Sequence, residues 1–236
     1  MGENTLKVIT LNINNYNDFS RRKQKIIALI KRYAPDIVAL QEIRDDLSKN
    51  KAGMNQAKHL NDGLGFPYMA FLPAMDVNAA KGIKGMPACY EGIALLSKFP
   101  FSSKEITLAR QEQDKYARKV LVATLEVFGQ RLAIFVVHFS TNDLFARLHA
   151  EETLAHAKNS QSIILGDFNI KHPGEIKKLA EQHGYISSGE YLCVSYPADK
   201  CNYDYIFIPK TLSFARFECI YEEVSDHRAL FAEITL

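Results

Sequence analysis

Eight polar side chains of the types that bind hard cations or move protons stand at the margins of apolar runs. Asn12 closes the run 6–11, Glu42 closes 37–41 and His138 closes 132–137. The run 162–166 delivers Asp167 and Asn169, a short run ending at Tyr203 delivers Asp204, and Asp226 with His227 precedes the final apolar run. Carboxylate and amide oxygens are ligands that Mg²⁺ and Mn²⁺ accept, and an imidazole beside a carboxylate suits proton transfer. Buried strands that each end in such a group make a rigid scaffold for one polar site at a common edge. Taken singly, each has an ordinary explanation. An acidic residue after an apolar run is usually solvated, and an Asx turn accounts for Gly166-Asp167-Phe168-Asn169 without any chemistry.

The elements that must position these groups alternate along the chain. Residues 20–32 set Ile26, Ile27, Leu29 and Ile30 among basic positions, an amphipathic helix that Pro35 stops. Residues 55–64 and 143–158 carry helical patterns, and 173–183 begins on a proline suited to a first turn and stops before Gly184. Residues 119–127 alternate as a strand and turn through Phe128-Gly129-Gln130 into the run ending at His138. A hairpin among helical crossovers predicts mixed sheets rather than purely parallel ones. Gly92 stands directly before the run 93–96, where a tight approach to a sheet would require glycine. The stretch 73–91, with Lys81, Gly82, Lys84, Gly85 and Pro87, predicts a long exposed loop whose lysines meet either a phosphate or solvent.

With 236 residues, 47% hydrophobic and 24% charged, and with no linker rich in Pro, Gly or Ser, the chain reads as one globular domain over 1–236. A net charge of +2 is too small to argue for a polyanionic partner, so any basic surface must be local. No run approaches the roughly 20 apolar residues of a bilayer-crossing helix, and the first residues lack an apolar targeting core. A soluble, cytoplasmic monomer is the expectation, or a periplasmic or secreted protein if a signal peptide has been removed. Cys89, Cys193, Cys201 and Cys219 form no Cys-x-x-Cys pair and are expected as free thiols, with a Cys193–Cys201 bridge the alternative in an oxidising compartment. His59, His149, His156, His172 and His183 lack matching carboxylate partners and receive no role, and Arg118 and Lys119 receive none either.

Taken together, the motifs form a constellation. Thr10-Leu11-Asn12-Ile13, Leu40-Gln41-Glu42-Ile43, Gly92-Ile93-Ala94-Leu95-Leu96-Ser97, Val137-His138-Phe139, Leu165-Gly166-Asp167-Phe168-Asn169, Tyr203-Asp204-Tyr205-Ile206 and Ser225-Asp226-His227 occur in the order and approximate spacing of the endonuclease/exonuclease/phosphatase superfamily. Any one of these is weak. Seven in order make the chain resemble that superfamily from Leu6 to Leu236. The resemblance implies an α/β fold, a four-layered α/β/β/α sandwich of two mixed β-sheets packed face to face with helices outside, and an active site at one end of the sheets. It also implies divalent-metal-assisted hydrolysis of a phosphoester. Glu42 would be the principal ligand of Mg²⁺, or of Mn²⁺, with Asn12 and Asp226 completing the set. His227 would act as general base or phosphate-stabilising imidazole, oriented by Asp204, while Asp167 competes for the task of orienting and deprotonating the attacking water. Asn169 would bind a phosphoryl oxygen or position the water, and His138 would contact the phosphate and help protonate the leaving oxygen.

Departures from individual subfamilies bear on the substrate. Apurinic/apyrimidinic endonucleases carry a tyrosine where this chain has His138, although Tyr90-Glu91-Gly92 resembles their Tyr-Ser-Gly. Residues 40–45 and Cys201-Asn202-Tyr203-Asp204 resemble the pancreatic-type deoxyribonucleases, in which an arginine after the metal glutamate reaches into the DNA minor groove. Arg44 is therefore the candidate nucleic-acid contact, with surface solvation as its plain alternative. Sphingomyelinase-type and inositol-phosphatase-type relatives share a histidine at the position of His138. This chain has no tryptophan for an interfacial anchor and no basic motif after His138. A nuclease is the first expectation, a phosphohydrolase of a lipid or inositol phosphate the second, and a catalytically inactive scaffold the third. The last is disfavoured because Glu42, Asp167, Asp204 and His227 are all present.

Overall fold

Successive side chains of a strand point to opposite faces, so strands apolar on both faces must be covered on both. The computed structural model, which describes residues 4–14, 18–46, 55–74, 89–109, 114, 117–158 and 160–236, answers that demand with three apolar layers. In chain order the elements are β1 (Thr5–Asn12), α1 (Phe19–Tyr33), β2 (Ile37–Asp46), α2 (Gln56–Leu64), β3 (Tyr68–Pro73), β4 (Cys89–Ser97), β5 (Phe101–Thr107) and β6 (Lys119–Val127). There follow β7 (Gln130–His138), α3 (Asp143–Ala157), β8 (Ser162–Asp167), α4 (Pro173–Gln182), β9 (Tyr185–Ser187), β10 (Asp204–Pro209), β11 (Ser213–Cys219) and β12 (Leu230–Thr235).

Two six-stranded sheets result, with orders β11-β12-β1-β2-β4-β3 and β5-β6-β7-β8-β10-β9. Each is mixed: β1 runs parallel to β2 but antiparallel to β12, and β7 runs parallel to β8 while β10 opposes it. Leu6, Val8, Ile37 and Ala39 of the first sheet pack with Ile134, Val136, Ile163, Leu165 and Ile206 of the second in a shared layer. Their neighbours along the strands point outward. Ile9, Leu11, Val38 and Leu40 pack under Ile26, Leu29, Ile30 and Leu60 of α1 and α2, and Phe135, Val137, Ile164 and Phe207 pack under Ala150, Leu154, Ile176 and Ala180 of α3 and α4. The expected sandwich of two face-to-face mixed sheets with helices outside is the fold of this chain. Among the described residues, no helix is long and apolar enough to cross a membrane.

Local chemistry explains the boundaries. Asn55 and Asn142 cap α2 and α3, their side-chain oxygens accepting from the N–H of Lys58 at 3.1 Å and of Phe145 at 3.3 Å. The hairpin between β6 and β7 turns on Phe128 (φ 50°) and Gly129 (φ 80°), the double left-handed pair that matches the twist of its strands. Gly92 meets the expectation of close approach, since a Cβ there would lie 2.1 Å from the carbonyl oxygen of Leu72. Gly166 serves the same purpose rather than a turn: it lies within β8, and a Cβ would lie 2.0 Å from the carbonyl oxygen of Val137 in the adjoining β7.

Other expectations need correction. Glu42 does not end its strand but sits inside β2, and Asp204 begins β10 instead of following a strand. Of the stretch 73–91, Pro73 ends β3 and 89–91 open β4, while Lys81 and Lys84 lie outside the described residues. Cys193 is joined to Cys219 in a disulfide with Cα atoms 5.6 Å apart, so the free-thiol reading fails for these two and a Cys193–Cys201 bridge does not form, while Cys201 is a free thiol as expected and the Cys89 side chain lies outside what the structure describes. The pairing was hidden because 26 residues separate the two cysteines, and only the fold brings the end of β11 beside the loop preceding β10.

Candidate active site

The register of the second sheet lines up three functional groups in one row. His138 ends β7 and pairs with Asp167, which ends the parallel strand β8; Asp167 in turn pairs with Asp204, which begins the antiparallel strand β10. Starting an antiparallel strand and ending a parallel one bring side chains to the same edge. All three are buried, at 6%, 1% and 1% exposure, and His227 joins them at 6%. Asp204 Oδ2 lies 2.8 Å from His227 Nδ1, so the imidazole Nε2 faces Asp167, whose Oδ2 is 3.9 Å away. His138 Nε2 lies 3.6 Å from the same oxygen.

The first sheet reaches this row through Asn12. Its Nδ2 donates at 3.0 Å both to Asp167 Oδ2 and to Glu42 Oε1, bridging the two sheets. Glu42 is aimed there by a β-bulge: Leu40 pairs with Ala94 and Ile43 with Gly92, leaving Gln41 and Glu42 together opposite Ile93. The bulge holds Glu42 at φ 52°, a left-handed conformation that costs a non-glycine residue on the order of 1 kcal/mol or more and collects at functional sites. Asp226 stands at the rim, where Oδ2 accepts from Asn14 Nδ2 at 2.7 Å and Oδ1 from Ser225 Oγ at 3.1 Å. Asn169 (φ 54°) donates its backbone N–H to Asp167 Oδ1 at 2.9 Å and its side-chain Nδ2 to the Phe139 carbonyl at 3.2 Å. The Asx turn is therefore real and also locks Asp167. Arg44 lies on β2 two residues beyond Glu42, half-buried, with its backbone N–H donated to Gln56 Oε1 at 2.9 Å.

Crowded carboxylates raise one another's affinity for protons. Burial, then the charge of Glu91, with Asp167 adding to them, push Glu42 up to about 7 against the pull of Asn12. Burial and the neighbouring Asp204 push Asp167 up to about 6. His227 goes the opposite way from a buried imidazole: desolvation disfavours its charge, but the hydrogen-bonded Asp204, with Asp167 and Asp226, outweighs it and raises the group to about 10. His138 is held neutral, its proton affinity lowered well below the ordinary value by burial and by the charges of Arg118 and His227.

Several residues that hold this arrangement gave no signal in the sequence. Ser195 Oγ accepts from the N–H groups of Tyr203 at 2.9 Å and Asp204 at 3.1 Å, fixing the start of β10. Arg22 of α1 donates to the carbonyls of Ile13, Asn14 and Val224 at 2.7, 2.7 and 2.9 Å, clamping the exit of β1 to the loop that carries Asp226 and His227. Tyr196 sets its ring 4.8 Å from the His227 ring. His149, which the sequence leaves without a carboxylate, is buried with Nε2 3.7 Å from Asp114 Oδ2, a neighbour supplied by a distant loop. Asp114 Oδ1 also accepts from Ser140 Oγ at 3.0 Å, two residues beyond His138.

The donor set fits a hard divalent cation. Its atoms are carboxylate and amide oxygens, burial and then neighbouring carboxylates raise the proton affinities of Glu42 and Asp167, and Asp204 Oδ1 is buried without a hydrogen-bond partner. Asp167, Asp204 and His227 also offer ligand atoms within 4.8 Å of one another. Within that trio, however, Asp204 Oδ2 and His227 Nδ1 already engage each other.

Among curated proteins, none matches this chain. Solved structures do. An endonuclease/exonuclease/phosphatase from Beutenbergia cavernae DSM 12333 superposes with a TM-score of 0.82 at 18% identity, covering 99% of this chain and 72% of its own. The human Nocturnin catalytic domain with bound sulfate anion gives 0.76 at 21%, covering 98% and 94%, and D. rerio TDP2 complexed with single strand DNA product gives 0.71 at 16%, covering 98% and 99%. At these identities the likeness is one of fold. The sequence itself matches the Endonuclease/Exonuclease/phosphatase family over residues 9–227, a span that runs from the third residue before Asn12 to His227, and this chain belongs to that family.

Proposed function

We propose that this protein is a Mg²⁺- or Mn²⁺-dependent phosphodiesterase whose substrate is a nucleic acid. The observation that supports the reading is the position of Asp167, a buried carboxylate shared by the Asn12 amide of one sheet, the His138 imidazole of the other and His227 of the loop before β12. Glu42, with Asn12 and Asp226, would hold the cation, which when bound neutralises charge developing on the phosphoryl oxygens. The remaining work belongs to side chains. Asp204 fixes His227 with Nε2 toward the cleft, so His227, keeping its proton at neutral pH, donates a hydrogen bond to a phosphoryl oxygen. Asp167, facing both imidazoles, orients the attacking water and accepts its proton. Asn169 has its amide N–H committed to Phe139, leaving its side-chain oxygen to position that water. His138, neutral, donates toward the phosphate or the leaving oxygen.

A nucleic acid is favoured over a lipid or inositol phosphate on two grounds. One structure of the same fold holds a single-strand DNA product, and Arg44 lies on β2 only two residues past Glu42, where a polynucleotide extending from the cleft would meet it. The test is a panel of single-stranded DNA, abasic duplex, plasmid, RNA, sphingomyelin, inositol phosphates and a chromogenic diester with purified protein. Mg²⁺-dependent, EDTA-sensitive cleavage of a polynucleotide is expected. Turnover confined to sphingomyelin or inositol phosphates would overturn the substrate class.

A further inference from the structure

Tyr221 is the most exposed aromatic residue among those described, at 65%. Ile220 and Val224 on either side are buried, so residues 221–223 form a short outward arch pinned at both ends. The arch stands at the site edge. Cys219 pairs with Leu230, Leu230 pairs with Thr10, and the N–H of Ile220 donates to the Ala229 carbonyl at 2.9 Å. One more step along that ladder sets Tyr221 beside Arg228, at the level where β1 delivers Asn12, and Arg228 directly follows His227. The Arg228 guanidinium lies over the Tyr221 ring, 4.2 Å from its centroid. It is held there, because Nη1 donates to the Val194 carbonyl at 2.9 Å and the backbone N–H to the Ser195 carbonyl at 2.7 Å. A fixed cation thus supports the ring while most of its surface faces water. A ring left in water forgoes the burial that stabilises rings elsewhere, and a fixed ring loses little entropy when a partner covers it. The partner it fits is flat. Glu222 and Glu223 follow Tyr221, and although Glu222 is paired with Arg32 of α1, the arch carries no surplus positive charge to draw a phosphate. Stacking needs none, since every nucleobase has a π-face.

We propose that Tyr221, backed by Arg228, is a stacking platform for an unpaired nucleobase of the strand whose phosphate lies at His227. This assignment rests on the nucleic-acid reading and narrows it. A base inside a duplex is already stacked on both faces, so the ring selects single strands or unpaired ends. The loop that presents the His227 imidazole to the phosphate also carries, in the next residue, the support for the ring that receives the neighbouring base.

The test compares wild type, Tyr221→Ala and Tyr221→Phe in Mg²⁺ on a single-stranded oligonucleotide, its duplex, and an oligomer of the same length and charge whose sugars carry no bases. Wild type should cleave the oligonucleotide with a kcat/KM roughly tenfold above that for the base-free oligomer. Tyr221→Ala should bring that ratio near unity, and Tyr221→Phe, which keeps the ring, should hold it. The duplex should lose less than the single strand in Tyr221→Ala. Each ratio is internal to one variant, so a change in stability alone does not move it. A wild-type ratio near unity, a wild-type preference for the duplex, a wild-type ratio retained by Tyr221→Ala, or equal losses on duplex and single strand would each sink the platform and leave the nucleic-acid reading in place. If wild type cleaves none of the three substrates, the nucleic-acid reading fails and takes the platform with it.

Discussion

The two sheets end differently at the site. In the second sheet, His138, Asp167 and Asp204 are neighbours in the strand register, placed by ladders of backbone hydrogen bonds that leave little freedom. In the first, Glu42 owes its position to a bulge and a left-handed backbone, and Asp226 to a loop held by Asn14 and Arg22. A proton-transfer group must sit within a fraction of an ångström of its partner, which a ladder secures. Cation ligands tolerate adjustment, which a strained bulge and a clamped loop permit. On the proposed function, the contrast separates proton chemistry at the His138–Asp167–Asp204 row, joined by His227 from the loop before β12, from cation binding by Glu42, Asn12 and Asp226.

Substitutions at the row should have the largest effect. His227→Ala and Asp167→Asn are each expected to lower kcat by about 10³-fold with little change in KM, measured on a chromogenic diester; a loss carried mainly in KM would reassign them to substrate positioning. Next comes Glu42→Gln, which should cost roughly 10²-fold in kcat/KM at fixed Mg²⁺ and be partly overcome by more cation. This variant also sharpens the comparison through pH. Glu42 at about 7 and Asp167 at about 6 lie above their ordinary 4.5 and 3.8, so the cation-free native state holds protons the unfolded chain has released. Its stability must therefore fall as pH rises from about 4 to about 7, and His227, raised from 6.5 to about 10, extends the fall above that window. Because a cation competes with those protons, Mg²⁺ should raise Tm more at pH 8 than at pH 5, and Glu42→Gln should remove most of that difference. Equal increments at both values in wild type would break the assignment of Glu42.

The disulfide tests whether the two ends must be tied. Cys193 lies in the loop that leads through Ser195 to Asp204, and Cys219 ends β11 of the other sheet, so the bond staples one site edge to the other. Replacing both cysteines by serine should cost about 3 kcal/mol in denaturant unfolding for a closed loop of this size, where the chain separation is 26. Thiol alkylation with and without reductant checks the bond directly. The smallest effect is expected for Arg44→Ala, a few-fold loss on a polynucleotide that spares a small diester; equal losses on both would remove Arg44 as a nucleic-acid contact.

Legibility followed from how local each signal was. The hairpin of β6 and β7 and the helices α1 to α4 could be read because their periodicity and their terminal signals are local in sequence. Strands β3, β5, β9 and β11 could not. β5 is mostly exposed, with Ser102, Ser103, Lys104 and Glu105 in a row, so no alternation marks it. The eight polar residues were legible as groups at the margins of apolar runs, although Glu42 proves to lie inside its strand, and the structure gathers them at one end of the sandwich. What orders them was not legible. Arg22 is one of several basic residues in a helix, Ser195 is one of many serines, and Asp114 lies 35 residues from His149 in sequence, so their importance exists only in the folded chain.

The proposed division of labour between the Asp167–Asp204–His227 cluster and the cation ligands is tested most directly by anomalous scattering from crystals of the wild-type protein soaked in Mn²⁺. The ion is expected on the carboxylate of Glu42, with the Asp204–His227 hydrogen bond intact. An ion coordinated by Asp204 and His227, with Glu42 unengaged, would contradict it.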